Sequence, residues 1–358
     1  LTAAALTAAS TLGAGALVGT FSEVAPAVPE GSVSGSDINN AGQSVGQADF
    51  AGGSRGFLRE PDGTLTELAA LPGESFSQAN AINEAGDAVG GSGGEATLWE
   101  DGGAPVDLGD LPGSSDSYAR DINDDGWIVG TTSDTGQSWY IDPDVGTMTD
   151  LGNVPGGTNV QVRAINNDEV VVGRVLVAGD FQTFVWTEAE GMSLIPPPPG
   201  EVDFEPTDIN DAGTIIGFTF EFVAPEGFYR AYALSPSGDF TPLTVDGYES
   251  AIPYGINAAG LVVGFVDNVA DPSRTPAAWD LATGDATAFP LFSDAAFTNE
   301  LYAVNDSGIA IGISREGDDF DRTYLGPIAP DPVPPAPPAP SPTAPPAQPV
   351  AAAPDFTG

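Results

Sequence analysis

The sequence predicts an all-β protein, a seven-bladed β-propeller of four-stranded blades whose last blade is closed by an N-terminal strand. Three observations carry this. A motif of the form Ile-Asn-x-x-Gly-x-x-Val-Gly recurs seven times, with central residues Asn39, Asn83, Asn123, Asn166, Asn210, Asn257 and Asn305. The spacings between them are 44, 40, 43, 44, 47 and 48 residues. Each unit holds four short apolar runs separated by turn residues, which at this period is the signature of propeller blades. The third observation is at the ends. The seventh unit lacks a fourth run, while Ser22-Glu23-Val24-Ala25-Pro26-Ala27-Val28-Pro29 resembles the fourth run of the first unit, Thr66-Glu67-Leu68-Ala69-Ala70-Leu71-Pro72. A helical array would need a 3.6-residue period, which is not present, and a parallel β-helix would need shorter rungs.

The second unit serves as the type. Ala79 to Asn83 reads as a first strand, Asn83-Glu84-Ala85-Gly86 as a tight turn, and Asp87 to Gly90 as the start of a second strand. Ala96-Thr97-Leu98-Trp99 is a third strand and Val106-Asp107-Leu108-Gly109 a fourth. Asn at the first turn position can bond the backbone two residues on. Gly at the fourth position tolerates the left-handed conformation such a turn requires. The fourth unit has Glu169 in place of that Gly, which predicts a looser or differently shaped turn there. The second Gly of each copy (Gly46, Gly90, Gly130, Gly173, Gly217, Gly264, Gly312) reads as the end of the second strand, placed for close packing of adjacent blades.

Residues 1–20 are uncharged, Ala-rich and mildly apolar, and read as the remnant of a secretory signal; an Ala-rich leader is the plainer alternative. A membrane span is disfavoured because the stretch is weakly apolar and broken by Gly and Thr. The propeller is expected over residues 21–328. Residues 329–358 are Pro- and Ala-rich, a composition that forms neither helix nor sheet and favours an extended chain. It reads equally as a tail or as a stalk to a surface anchor; at ~3.1 Å per residue about 25 residues reach on the order of 80 Å.

Charge bounds the partners. There are 51 acidic side chains against 9 basic ones, all Arg, and the net charge is −42. Such a field repels nucleic acid and anionic membranes. An acidic surface without Lys is the kind that concentrated salt accommodates, because screening there removes the self-repulsion. Cys and His are absent, which excludes disulfides, Cys metal sites and His-dependent catalytic triads. Asp121-x-Asn123-x-Asp125-Gly126 matches the first half of a calcium loop, but the closing position is Thr132, so a plain turn is preferred and no metal or cofactor is expected. Asn305-Asp306-Ser307 is a glycosylation sequon whose Asn is also the repeat's turn residue, which favours a structural role.

The copies Ala81-Ile82-Asn83-Glu84-Ala85-Gly86, Asp121-Ile122-Asn123-Asp124-Asp125-Gly126 and Asp208-Ile209-Asn210-Asp211-Ala212-Gly213, with the Leu-Trp, Asp-Leu-Gly and Leu-Pro-Gly segments at 98–99, 107–109 and 111–113, resemble the HAF family of extracellular repeats. The resemblance covers residues 22–328 and implies an exported, propeller-like protein, extracellular or on the cell surface. That family has no established catalytic residues to carry over. Arg55, Glu95, Gln182 and Arg230 stand before the third strand, where the family often has His.

The two tight connections of each blade alternate with two longer, variable ones, and both long classes emerge on one face. That loop face collects Phe204, Phe222, Phe228, Tyr229, Tyr248, Phe297 and Phe320, the candidate ligand-binding residues. The long connections 218–230, 265–274 and 313–322 read as loops over that face. The expected function is a monomeric, secreted or surface-displayed, non-enzymatic binding or structural module, its ligand a glycan or a protein. The alternative is a carboxylate-dependent enzyme, a hydrolase or lyase acting on extracellular glycans.

Overall fold

The seven sequence units become seven antiparallel sheets, each a four-stranded blade, with one short fifth strand added to the last among the described residues. The computed structural model describes residues 6–7, 17–27, 31–223, 226–268, 271–292, 298–316 and 320–330. In the first blade Val33–Ile38, Ser44–Phe50, Gly53–Arg59 and Leu65–Leu68 pair in chain order, and the next five blades repeat this order. The first strands, among them Ser77–Ile82, Tyr118–Ile122, Gly157–Ile165 and Glu205–Ile209, each lie beside the first strand of the next blade, and Thr298–Val304 returns to Val33–Ile38. They therefore line the axis of a closed ring.

The core sits between blades. Val45, Leu58 and Leu68 of the first blade pack on Ala79, Ala88 and Trp99 of the second, all buried. Period-2 alternation gives the inner strands a face for each neighbouring sheet, so Ala88–Ser92 and Ile128–Thr131 are buried on both faces, while the outermost strands, such as Pro105–Asp107 and Met148–Asp150, are largely exposed.

The seventh blade confirms closure and moves its boundary. Thr298–Val304, Ile309–Glu316 and Phe320–Pro330 are joined by Leu17–Glu23, with Ser22 opposite Leu325 and Glu23 opposite Tyr324. The Val24 N–H continues the pairing to the Thr323 carbonyl at 2.8 Å. The strand begins earlier than the alignment with the first unit implies: Leu17 and Phe21 are buried with Phe289, Phe292 and Tyr324. The boundary drawn at residue 20 falls inside this strand, and the last strand runs to Pro330 rather than 328. Leu6–Thr7 adds a two-residue fifth strand, while the rest of residues 1–16 and the Pro-rich segment 331–358 lie outside the described residues.

Two details differ from the sequence reading. Glu169 adopts the left-handed conformation, φ 60°, and its N–H bonds the Asn166 carbonyl at 3.1 Å as the Gly residues do elsewhere. The fourth turn thus keeps its shape and bears the steric cost instead of loosening. The second Gly of each repeat lies inside the second strand. A Cβ there would meet a carbonyl of its own blade's first strand, 2.1 Å from Ser34 O at Gly46 and 2.0 Å from Gln78 O at Gly90. The close approach is within the blade, not between blades. Its cause is a register break in every first strand, between Gly35 and Asp37, Ala79 and Ala81, Ala119 and Asp121, and equivalently round the ring. One residue bulges out and pushes the strand onto its neighbour.

Candidate functional site

The axis is built from the repeat itself. The Asn39 side-chain N–H donates to the Asn83 carbonyl, Asn83 to Asn123, Asn123 to Asn166, Asn166 to Asn210, Asn210 to Asn257, Asn257 to Asn305 and Asn305 back to Asn39, at 2.9 to 3.3 Å. Each Asn Oδ1 accepts the N–H four residues on, as Trp127 N–H to Asn123 at 2.8 Å. One amide closes its own turn and ties it to the next blade. Only Asn provides both a donor and an acceptor at this reach. Asn305 is therefore engaged and buried, which supports the structural role of the sequon residue.

Two residues before the repeat Asn, Asp alternates with small residues: Asp37, Ala81, Asp121, Ala164, Asp208, Gly255 and Ala303. Asp121 accepts from its own neighbour Ile122 at 2.9 Å and from Ile165 of the next blade at 2.8 Å. Asp37 does the same with Ile38 and Ile82, and Asp208 with Ile209 and Ile256. Burial, moderated by these backbone donors, pushes all three carboxyls up: Asp37 above its ordinary value, Asp208 well above it and Asp121 to about 7. The neighbouring aspartates raise Asp121 and Asp208 further. Their oxygens are already committed to backbone N–H groups, and among the described residues no His, Cys, Asp or Glu group is arranged to hold a metal.

The bulged residues form another layer: Ser36, Asn80, Arg120, Arg163, Thr207, Tyr254 and Tyr302. Tyr254 and Tyr302 touch, with ring centroids 5.0 Å apart. The Tyr302 hydroxyl donates to Glu300 at 2.6 Å, and Glu300, fully buried, also pairs with Arg274. Burial raises the Tyr302 hydroxyl, and Glu300 adds to the effect.

The loop face differs from blade to blade. In the fifth blade Ile215–Val223 pairs with Glu226–Leu234, so 218–223 and 226–230 are ladder rather than loop, with 224–225 outside the described residues. The stretches 265–274 and 313–322 are likewise strand extensions, with 269–270 and 317–319 outside the described residues. Alternation places Phe218, Phe220, Phe222 and Tyr229 on one face of the fifth-blade hairpin. Phe222 is 66% exposed and Phe220 44%. The Phe220 and Tyr229 rings are 5.2 Å apart, and Gly227 leaves the room Phe220 occupies, since a Cβ there would meet its ring at 2.5 Å. Phe228 lies on the other face with Arg230 above it at 5.6 Å, and Arg230 pairs with Glu221.

Beside this hairpin a cleft of about 270 Å³ opens between the fifth and sixth blades, lined by Tyr229, Arg230, Val245, Tyr248, Glu249 and Val266. The structure thus brings together Tyr229 and Tyr248, with Phe228 and Phe222 on the adjoining hairpin. Phe204 is not a surface ring: it is 3% exposed and packs edge-on against Phe240, 5.2 Å away. Phe297 and the Phe320 side chain lie outside the described residues. Phe220 escaped the sequence reading; its i, i+2 relation to Phe222 was the available signal.

No family model matches the chain, and no curated protein matches it in sequence. Solved structures do match in shape. A streptogramin B lyase superposes with a TM-score of 0.59 at 10% identity, over 86% of this chain and 97% of that one. Virginiamycin B lyase from Staphylococcus aureus gives 0.57 at 13% identity over 86% and 98%. YCF48 from Cyanidioschyzon merolae gives 0.53 at 10% identity over 85% and 98%. At these identities the likeness is one of fold: the chain is a seven-bladed propeller. Among the described residues no helix is long and apolar enough to cross a membrane.

Proposed function

We propose that this propeller is a non-enzymatic binding module of the HAF-repeat type, secreted or displayed at a cell surface, and that it takes a glycan or protein ligand on its loop face. The observation that carries the reading is the exposed aromatic face of the fifth-blade hairpin running into the cleft at Tyr229 and Tyr248. Aromatic rings combine large contact area with small entropic cost, and a scaffolded, irregular face is where recognition usually resides. The opposite face is occupied by turns that hold the ring together. Its carboxylates serve neighbouring turns, as Glu84 accepts from Asn40 N–H and Asp124 from Glu84 N–H.

A glycan array and a protein-display screen identify the ligand class. With the first ligand in hand, alanine at Phe222, Tyr229 and Tyr248 together is expected to weaken binding by ~1–3 kcal/mol, the scale of interface anchors. Alanine at Val145, exposed in an outer turn of the third blade, is expected to leave it unchanged. Release of reducing ends from a polysaccharide by the purified protein, abolished by an acidic-residue substitution, would replace this reading with a catalytic one.

A further inference from the structure

Arginines are scarce here, and carboxylates compete for them. Arg55, Arg163, Arg174, Arg230, Arg274, Arg315 and Arg322 all form ion pairs. Arg59 and Arg120 form none among the described residues, and of these two only Arg59 has a carboxylate, Asp62, acting on its charge. Arg120 differs. Among the described residues it has no carboxylate within ion-pair distance and no hydrogen-bond partner, in a chain with 51 acidic side chains. The Arg120 side chain is exposed, and its surroundings shape a recess open to a ligand.

Those surroundings form a site. Arg120 and Arg163 are the bulged residues of the third and fourth blades, adjacent round the ring. Both line a pocket of about 430 Å³ together with Tyr118, Thr131, Ser133 and Gln161. Tyr118 begins its strand and Thr131 ends the next, so the pocket opens on the loop face near the axis. The two guanidinium groups repel, and desolvation in the recess and this repulsion hold Arg120 below its ordinary basicity. Arg163 gives one nitrogen to Glu205, which also pairs with Arg174. One carboxylate therefore serves two arginines; Asp203 also acts on Arg174, and no carboxylate acts on the Arg120 charge. Asp116, beside the pocket, accepts from the Ser133 hydroxyl at 2.6 Å and acts on the lining Tyr118.

We propose that this pocket binds an oxyanion carried on a small organic molecule, a carboxylate or sulfate group on a single sugar being the fitting class. A guanidinium presents a planar fork of donors that matches two oxygens of such a group, and here one fork is unoccupied. An anion between Arg120 and Arg163 replaces their mutual repulsion with two attractions in a partly desolvated place, where such contacts are strongest. The volume lies within the range of small-molecule sites and exceeds what a bare ion needs. The protein's overall field opposes anions, so local chemistry must select the ligand rather than long-range steering.

The test is calorimetric titration of the full chain with glucuronate, inorganic sulfate and glucose, at one fixed NaCl concentration at which the protein is folded. Saturable glucuronate binding is expected, with none for glucose. R120Q is expected to reduce it at least tenfold, and R120K by less, at melting temperatures that verify folding. Sulfate binding as tight as glucuronate would overturn the organic ligand in favour of a free ion. Absence of saturable binding by either anion, or binding unchanged in folded R120Q, would overturn the site. This site and the aromatic cleft lie in different blade interfaces and are tested with different variants.

Discussion

At the scale of single residues, the repeat Asn does more than a turn requires. In Asn123 one oxygen closes the turn while one N–H crosses to Asn166. Asn123→Asp keeps the turn acceptor but removes the donor and brings a charge into a buried position. A loss of ~1–3 kcal/mol is expected, the cost of leaving a buried partner unsatisfied. Chemical denaturation reads it, and an unchanged midpoint would mean that the ring of amides contributes nothing. Glu169→Gly should act in the other direction. A left-handed non-Gly residue costs ~1–2 kcal/mol, so relief of φ 60° is expected to raise stability by about 1 kcal/mol. A destabilised variant would show that Glu169 makes compensating contacts.

At the scale of elements, closure rests on Leu17–Glu23. It covers the edge of Phe320–Pro330 and buries Leu17 and Phe21 between the sixth and seventh blades. The seam to the first blade is a hydroxyl: Thr323 donates to the Val33 carbonyl at 2.8 Å and accepts from Gly35 N–H at 2.7 Å. Removing residues through Glu23 leaves that edge unpaired, and an open edge recruits other strands. The truncated chain is expected to melt at lower temperature and to associate in sedimentation. If it melts like the full chain and stays monomeric, the N-terminal strand is dispensable. A cut after Thr20 is expected to give an intermediate loss, since it removes Leu17 while Phe21 and the Ser22–Leu325 and Glu23–Tyr324 pairs remain.

At the scale of the whole molecule, charge has two separable effects. A net −42 makes the folded state repel itself, and screening is nearly complete at molar salt. The melting temperature is expected to rise markedly from ~0.1 M to ~2 M NaCl; a flat or falling profile would refute salt adaptation. The axial aspartates add a dependence that salt does not remove. Asp121 holds its proton to about pH 7 when folded, against an ordinary value of 3.8. Between these values the folded state binds more protons than the unfolded one, so stability falls as pH rises. In ~2 M NaCl, where surface charges are screened, melting temperature is expected to drop from pH 5 to pH 8. A profile that rises over that window would place Asp37, Asp121 and Asp208 in a more polar setting than their burial implies.

The sequence by itself determined the class, the blade count and the closure, because these follow from period and from matched segments. Seven Asn-centred copies fix seven sheets, and the Ser22-Glu23-Val24 match finds the missing strand. Local chemistry also placed the tight turns, whose Gly residues take the left-handed conformation expected of them. What only the tertiary structure decided are relations between residues some forty positions apart. The amide ring joins Asn39 to Asn83 and Asn305 to Asn39, and no local pattern distinguishes an Asn that caps a turn from one that also reaches the next blade. Exposure likewise depends on which sheet comes to lie above a ring. Phe204 and Phe222 are the same residue on neighbouring segments, yet Phe240 covers the first and nothing described covers the second. The isolation of Arg120 is of this kind too: it depends on where the carboxylates of other strands end up, which the fold sets and the chain order does not display.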